Sequence, residues 1–426
     1  MAVLTSPSTD PHLSTNRRGH QAAPADGRRR SLVVEWLAHP QASFFLVLVP
    51  AVLLLALGMI MVLSASSVYA FVRWGDAYYF VKRQAIFLVV GGVAAFVLAA
   101  RSTKQLKVLG WILLIAAVGL QILTYTPLGY SNNGNTNWVQ FGTSLFRIQP
   151  SEFAKLAIVL WGADIFARKR KQLGDPRHLL IPFLPASLIL IGLVVLQSDL
   201  GTGMIMGALV LAVLWYVGAS WKVLGAIVGS VAAAVGLLVV TSPYRMNRIL
   251  GFFNQEVDQL GVNHQPIKAI FALASGGWWG LGLGASRQKW GGLVESHTDY
   301  VLAVIGEELG LIGTLSVLIL FLILGYAGFR IAMRSDIRFC RYAAAGVTSW
   351  FMIQGLVNIA VVLRMIPVIG VPLPLLSYGG SALMANLMAL GVLLACARQE
   401  PEYRAFARRR RSRKERALVT TAAGRA

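Results

Sequence analysis

Residues 294–310 read VESHTDYVLAVIGEELG and place Glu295, His297, Asp299, Glu307 and Glu308 at the entrance to an apolar run. An ionised carboxylate in or beside hydrocarbon is disfavoured unless water, a cation or a substrate compensates it, so acids there are candidates for function. Asp299 is the leading candidate for a proton acceptor. At a membrane interface its pKa is expected above the free value of ~3.9, making it a stronger base that stays mostly ionised near neutrality. The competing reading is that Thr298 or Asp299 only caps the helix that follows. A helix starting near Thr298 turns Glu307 to within about 80° of Asp299 and points Glu308 at another helix. A salt bridge is the simpler role for at least one of those two.

Upstream, SRQKW supplies Arg287 and Lys289, and YRMNR supplies Tyr244, Arg245 and Arg248. Such cations suit a phosphate or diphosphate, arginine as a fork and lysine as a point charge, although snorkelling to lipid headgroups explains individual ones equally well. In NNGNTNWVQFGTSLFRIQPSEFAKL, residues 132–156, Trp138 offers a flat stacking face for a sugar. Pro150 opens a helix, and Glu152 and Lys155 stand one turn apart, a spacing that reads as a structural pair. Asp199, in QSDLGTG, reads as a turn or cap residue. His297 has no matching serine context for a triad and reads as a hydrogen-bonding residue. The sequence has no Cys/His metal spacing, Walker loop or nucleotide-binding glycine fingerprint.

These residues need elements to hold them, and composition dictates which. Hydrophobic residues make up 56% of the 426 and charged residues 13%, too little polar surface for a water-soluble globule. Leu, Val, Ile and Ala run together without a two-residue period, which excludes an outer-membrane barrel. The expected fold is an all-α polytopic membrane protein with ten spans, near 43–66, 84–101, 107–126, 150–167, 179–197, 200–217, 222–241, 300–327, 342–363 and 378–397. Arg28 to Arg30, Arg168 to Lys171, Arg334 with Arg338 and Arg341, and Arg408 to Arg411 then fall on one side, so both termini are expected in the cytoplasm. The same distribution makes the net charge of +21 a matter of membrane orientation rather than nucleic-acid binding.

The expected organisation is a disordered tail over 1–40, a membrane domain over 41–398 and a basic cytoplasmic tail over 399–426. Cys340 and Cys396 fall at cytoplasmic ends and imply no disulfide framework. The large outside loop, 242–299, mixes glycines with Trp278, Trp279 and Trp290 and is expected to fold back on the membrane interface. PVIGVPLPLLSYGGS, 367–381, is irregular backbone that a membrane tolerates only where it packs on protein or lines a cavity.

HTDYVLAVIGEELG, QPSEFAK, QSDLGTG and PLPLLSYGGS, in this order on such a chain, resemble the signatures of the SEDS family (shape, elongation, division and sporulation). MIMVLSASSVYA and YYFVKRQAIFLVVGG are more similar to its division branch than to its elongation branch. The resemblance implies a glycosyltransferase that polymerises lipid II at the outer face of the bacterial cytoplasmic membrane, at the septum, with a class B penicillin-binding protein and other division proteins. The family's essential acid matches Asp299. Where the family carries an arginine before the loop tryptophan, Thr136 and Asn137 stand, and Arg147 is the candidate replacement. Leu293, Val294 and Glu295 stand where the family has Leu-Pro-Glu. Lys289, Arg245 and Arg248 are the expected diphosphate ligands, with Trp138, Arg147, Glu295, His297 and Glu307 completing the substrate site. No cofactor is certain, and a divalent cation, Mg or Mn, could share the diphosphate charge. A lipid II flippase, an elongation polymerase and a recruiting scaffold are the rival readings.

Overall fold

The computed structural model describes residues 32–132, 135–142, 147–253, 264–290, 293, 296–410 and 412. Residues 1–39 form one unit and 40–426 another. In the first, α1 (Leu32–Ala38) is the described element, and the rest of the expected tail lies outside the described residues.

In the second unit, apolar runs make long helices: α2 (Ala42–Trp74), α3 (Tyr79–Ala99) and α4 (Thr103–Leu123). After these come α5 (Pro150–Arg168), α6 (Pro176–Leu180), α7 (Phe183–Leu196), α8 (Leu200–Val217) and α9 (Trp221–Val240). Then follow α10 (Pro243–Phe253), α11 (His264–Gly276), α12 (Val301–Arg334), α13 (Arg338–Val362) and α14 (Gly380–Arg398). Their ends follow local chemistry. Ser102 and Gln105 form a reciprocal capping box on α4, and Asp199 caps α8 by accepting from the Thr202 amide at 2.9 Å. Gly75 and Gly218 close α2 and α8 in the left-handed conformation.

Among the described residues, nine helical segments are long and apolar enough to cross a bilayer, with α6 and α7 together forming one of them. The expected fourth span is α5, whose 19 residues are long enough but include Glu152, Lys155, Asp164 and Arg168. It is enclosed on all sides: only Phe153, Ala167 and Arg168 escape burial. Its charges are therefore neutralised by protein. Asp164 accepts from Trp111 at 3.2 Å and pairs with Arg168 at 2.6 Å and Lys107 at 3.3 Å. On α9, by contrast, only Leu224 is buried.

The all-α architecture stands, and two features of its loops add to it. The segment before α5 forms a three-stranded antiparallel sheet, β1 (Gly129–Asn132), β2 (Asn135–Gln140) and β3 (Arg147–Ile148), in the order β1-β2-β3. Asn137 and Val139 point inward while Trp138 and Gln140 remain half-buried, the two-residue alternation of a strand packed on one face. The described part of the large loop also carries two helices, α10 and α11.

The irregular segment before α14 sits among helices, with Leu373, Leu375 and Leu376 buried. Its backbone is satisfied from the side: Gln354 and Asn358 donate to the carbonyls of Pro372 (2.9 Å) and Val371 (2.8 Å), and Gln84 donates to that of Ser377 (3.2 Å). Such pairing is what irregular backbone needs inside a bilayer. Beyond α14, residues 401–410 are helical and dock by ion pairs of Arg404 with Asp336, at 2.5 Å, and of Arg334 with Glu402. The rest of the expected basic tail lies outside the described residues, apart from Ser412.

Candidate active site

The site is organised by a break in α12. At Gly310 the backbone takes φ 68°, ψ −164°, so the helix stops after Leu309 and restarts beyond. A break inside a membrane helix frees carbonyls on one side and amides on the other. The loop after α11 takes up both sets. Leu281 and Gly282 donate to the Glu307 and Glu308 carbonyls at 2.9 and 3.0 Å, while Leu311 and Ile312 donate to the carbonyls of Gly277 (2.9 Å) and Trp278 (3.3 Å). A Cβ on Gly310 would collide with the Gly280 amide and the Trp278 main chain, and one on Gly280 would strike the Glu308 carbonyl. The loop thus folds back on α12 and leaves Trp278, Trp279 and Trp290 exposed.

The two adjacent acids then anchor the continuation of that loop. Glu307 accepts from the Ser286 hydroxyl at 2.5 Å and the Arg287 amide at 2.9 Å. Glu308 lies 2.6 and 2.7 Å from the Ser64 hydroxyl of α2, 3.3 Å from the Ser286 amide and 3.3 Å from Lys289 Nζ. Lys289 also donates to the Gly284 carbonyl at 2.6 Å. All four side chains, Ser286, Lys289, Glu307 and Glu308, are buried. Glu307 therefore does not turn toward Asp299 as the helical wheel suggested, and Lys289 spends its charge on Glu308. The wheel failed because the loop, invisible to a periodicity argument, covers that face.

α12 begins at Val301, with Tyr300 at its N-cap position and no cap bond from the Tyr300 side chain. Asp299 is half-buried in the turn before it, its carbonyl accepting from Asn358 of α13 at 2.8 Å. Gly370, at φ +76°, faces its carboxylate: a Cβ there would lie 3.5 Å from Asp299 Oδ2.

His297 is buried in an aromatic box, its ring 4.5 Å from that of Phe80, 5.5 Å from Tyr378 and 6.0 Å from Tyr69. Its carbonyl accepts from the Tyr378 amide at 2.8 Å. Burial holds the imidazole down to about 4, so it is neutral near pH 7. Burial pushes the Tyr378 phenol up, and Arg83 and Arg147 nearby partly offset that.

Arg147 comes from β3, where its guanidinium sits 3.6 Å over the Tyr130 ring and bonds Gln140 at 2.9 Å. Trp138 pairs with Tyr130 across β1 and β2. Asn137, beside it, donates to Asp199 at 2.8 Å and ties the sheet to α8. Glu152 and Lys155 form a buried 2.8 Å ion pair, and Lys155 also donates to Gln354 at 2.8 Å. The side chains of Arg245 and Arg248, on α10, and the whole of Glu295 lie outside the described residues.

The geometry thus joins Asp299, His297, Tyr378 and Gly370 at the outset of α12, with Arg147 near Tyr378. Ser64, Ser286, Asn358 and Gly370 were not found from sequence. Asn358 left a trace there, since Gln354 and Asn358 stand one turn apart in an otherwise apolar span.

The family model of cell cycle proteins of the FtsW, RodA and SpoVE type matches residues 44–402. The chain belongs to this family. Within it, the chain is 37% identical over 380 residues to the probable peptidoglycan glycosyltransferase FtsW of Mycobacterium tuberculosis, covering 89% of this chain and 72% of that protein. It is 38% identical over 357 residues to the stage V sporulation protein E of Bacillus subtilis, covering 83% of this chain and 96% of that one. Among solved structures, the rod shape determining protein RodA of Thermus thermophilus superposes with a TM-score of 0.61 at 28% identity, over 86% of this chain and 99% of RodA. A chain from a peptidoglycan synthase complex that couples polymerization and crosslinking superposes with a TM-score of 0.67 at 28% identity, over 85% of this chain and 98% of that one. This FtsW/RodA/SpoVE-family chain is accordingly a multi-pass membrane protein.

Proposed function

We propose that the chain is a peptidoglycan glycosyltransferase that polymerises lipid II into β-1,4 glycan strands for septal wall synthesis, with Asp299 as general base. One observation carries the assignment of the base. Of the three acids in and before the first turns of α12 that are described, Asp299 alone is not buried, and its carboxylate lies beside Gly370. Glu307 and Glu308 are buried and their carboxylates are committed to the loop.

Asp299 takes the proton from the 4-hydroxyl of the acceptor's N-acetylglucosamine as that oxygen attacks C1 of the donor's N-acetylmuramic acid. The bond from C1 to the diphosphate breaks, undecaprenyl diphosphate leaves, and one displacement inverts the anomeric centre to a β link. Arg147 supplies positive charge at the mouth and Trp138 a stacking face on β2. Arg245 and Arg248 are the remaining candidates for the leaving diphosphate, whereas Lys289 is withdrawn from that role by its ion pair. Among the described residues no group of three or more His, Cys, Asp or Glu comes together to hold a metal ion. A divalent cation, Mg or Mn, would travel with the diphosphate and share its charge.

The reading includes ten spans with α5 as the fourth, both termini in the cytoplasm, residence in the bacterial inner membrane at the septum, and association with a class B penicillin-binding protein. A polyprenyl tail that stays in the bilayer while its headgroup reaches the interface explains why the base lies where a span begins. The test is purified full-length chain with its penicillin-binding partner and labelled lipid II. Wild type lengthens glycan strands, and Asp299→Asn does not. Full polymer yield from the variant removes Asp299 as base; lipid II transfer across vesicles without polymer would point to a flippase.

A further inference from the structure

We propose that Asn358 is a positioning residue for Asp299, clamping the main chain of the base and the loop beside it with one side-chain amide. This rests on the reading of Asp299 as the general base. Asn358 is buried on α13, and its Nδ2 donates at 2.8 Å to two carbonyls far apart in sequence, those of Asp299 and Val371. Both partners are acceptors, so the orientation of the amide is fixed by chemistry: a flipped side chain would set oxygen against oxygen.

The next link lies one turn earlier. Gln354 donates to the Pro372 carbonyl at 2.9 Å, and its own oxygen is held by Lys155 Nζ at 2.8 Å and by Trp350 Nε1 at 2.7 Å. Successive turns of α13 therefore pin Val371 and Pro372, and the residue before them is Gly370, which faces Asp299 Oδ2. One donor thus ties the main chain that carries the carboxylate to the loop beside it. Losing that donor removes both bonds at once.

The price of the arrangement is visible. Asn358 Oδ1 is buried with no hydrogen-bond partner among the described residues. An unsatisfied buried acceptor destabilises a fold, so an apolar side chain of similar volume would serve packing better. The amide is explained by the two bonds it donates. A base must be held to a fraction of an ångström, and misplacement of 1 Å costs about 100-fold in rate.

The experiment uses full-length chain in lipid vesicles, comparing wild type, Asp299→Asn, Asn358→Leu and Asn358→Asp. Leucine removes the donor and the orphaned oxygen together; aspartate keeps the shape and removes the donor. Both are expected to lower kcat about 10- to 100-fold with KM within about 2-fold, and to lower the thermal midpoint because the Asp299 and Val371 carbonyls lose their donor. Hydrogen exchange by mass spectrometry should rise in peptides covering 299–303 and 370–376 together.

Wild-type kcat in both Asn358 variants, with Asp299→Asn inactive, overturns the positioning role and leaves the base standing. Polymerisation by Asp299→Asn overturns the base, and with it the catalytic meaning of the clamp. Unchanged exchange in both peptides overturns the clamp itself whatever the activity.

Discussion

Lys289 and Glu308 form an ion pair, Nζ to Oε1 3.3 Å, with both side chains removed from solvent and Ser64 of a different helix touching each of them. Removing one partner of a buried pair leaves the other uncompensated, at about 3–5 kcal/mol. Lys289→Met should therefore lower stability by about 3 kcal/mol, and Lys289→Met with Glu308→Gln should recover most of it. Thermal unfolding of the detergent-purified chain checks this. A raised KM for lipid II with an unchanged thermal midpoint would return Lys289 to the substrate site.

Gly310 holds a conformation that side chains avoid, and its missing Cβ is the space through which the loop backbone passes. Gly310→Ala adds strain of about 1–3 kcal/mol at that position and displaces the loop as well. The expected outcome is faster hydrogen exchange at Leu281, Gly282, Leu311 and Ile312, whose amides bridge loop and helix. Protection at wild-type levels would mean that the bridge tolerates a side chain.

His297 predicts a pH dependence with a definite sign. Its folded pKa is about 4 against 6.5 in the unfolded chain, because burial disfavours the imidazolium. Between those values the unfolded state binds a proton that the native state refuses. Stability therefore falls as pH drops from 6.5 to 4, by about 1.4 kcal/mol per unit from this residue. His297→Phe, which keeps the aromatic box, should flatten that slope; identical slopes in thermal midpoint against pH would show that the ring is solvated.

Glu152 and Lys155 give a test deep in the fold. Lys155 holds Glu152 and Gln354 and lies 5.0 Å over the Trp350 ring, while Glu152 Oε2 is buried without a partner among the described residues. Lys155→Met should destabilise by about 3–5 kcal/mol, and Glu152→Gln with Lys155→Met much less. Equal losses in the single and double variants, read by denaturant unfolding, would show that the pair has no net coupling.

What the sequence determined by itself was set by local chemistry. A chain so poor in charge has to bury its apolar runs in a bilayer, and runs of that length can only be helices, so nine of the ten expected spans fall on helices long and apolar enough to cross, and the fourth falls on α5. The cap at Asp199 and the pairing of Glu152 with Lys155 depend on residues three apart and were equally legible. Asp299 stood out because an acid beginning a span needs a reason.

Tertiary structure decided the rest, because it depends on segments distant in sequence. Helical phase aimed Glu307 at Asp299, but the loop closing on Gly310 covers that face and claims the acid. Lys289 looked like a free cation until Ser64 and Glu308, 225 and 19 residues away, enclosed it. The neighbours of Asp299, Asn358 and Gly370, come from α13 and the segment after it, 59 and 71 residues on. No periodicity encodes such meetings; they arise only when packing brings the helices and loops together, and burial then fixes which polar groups must find one another.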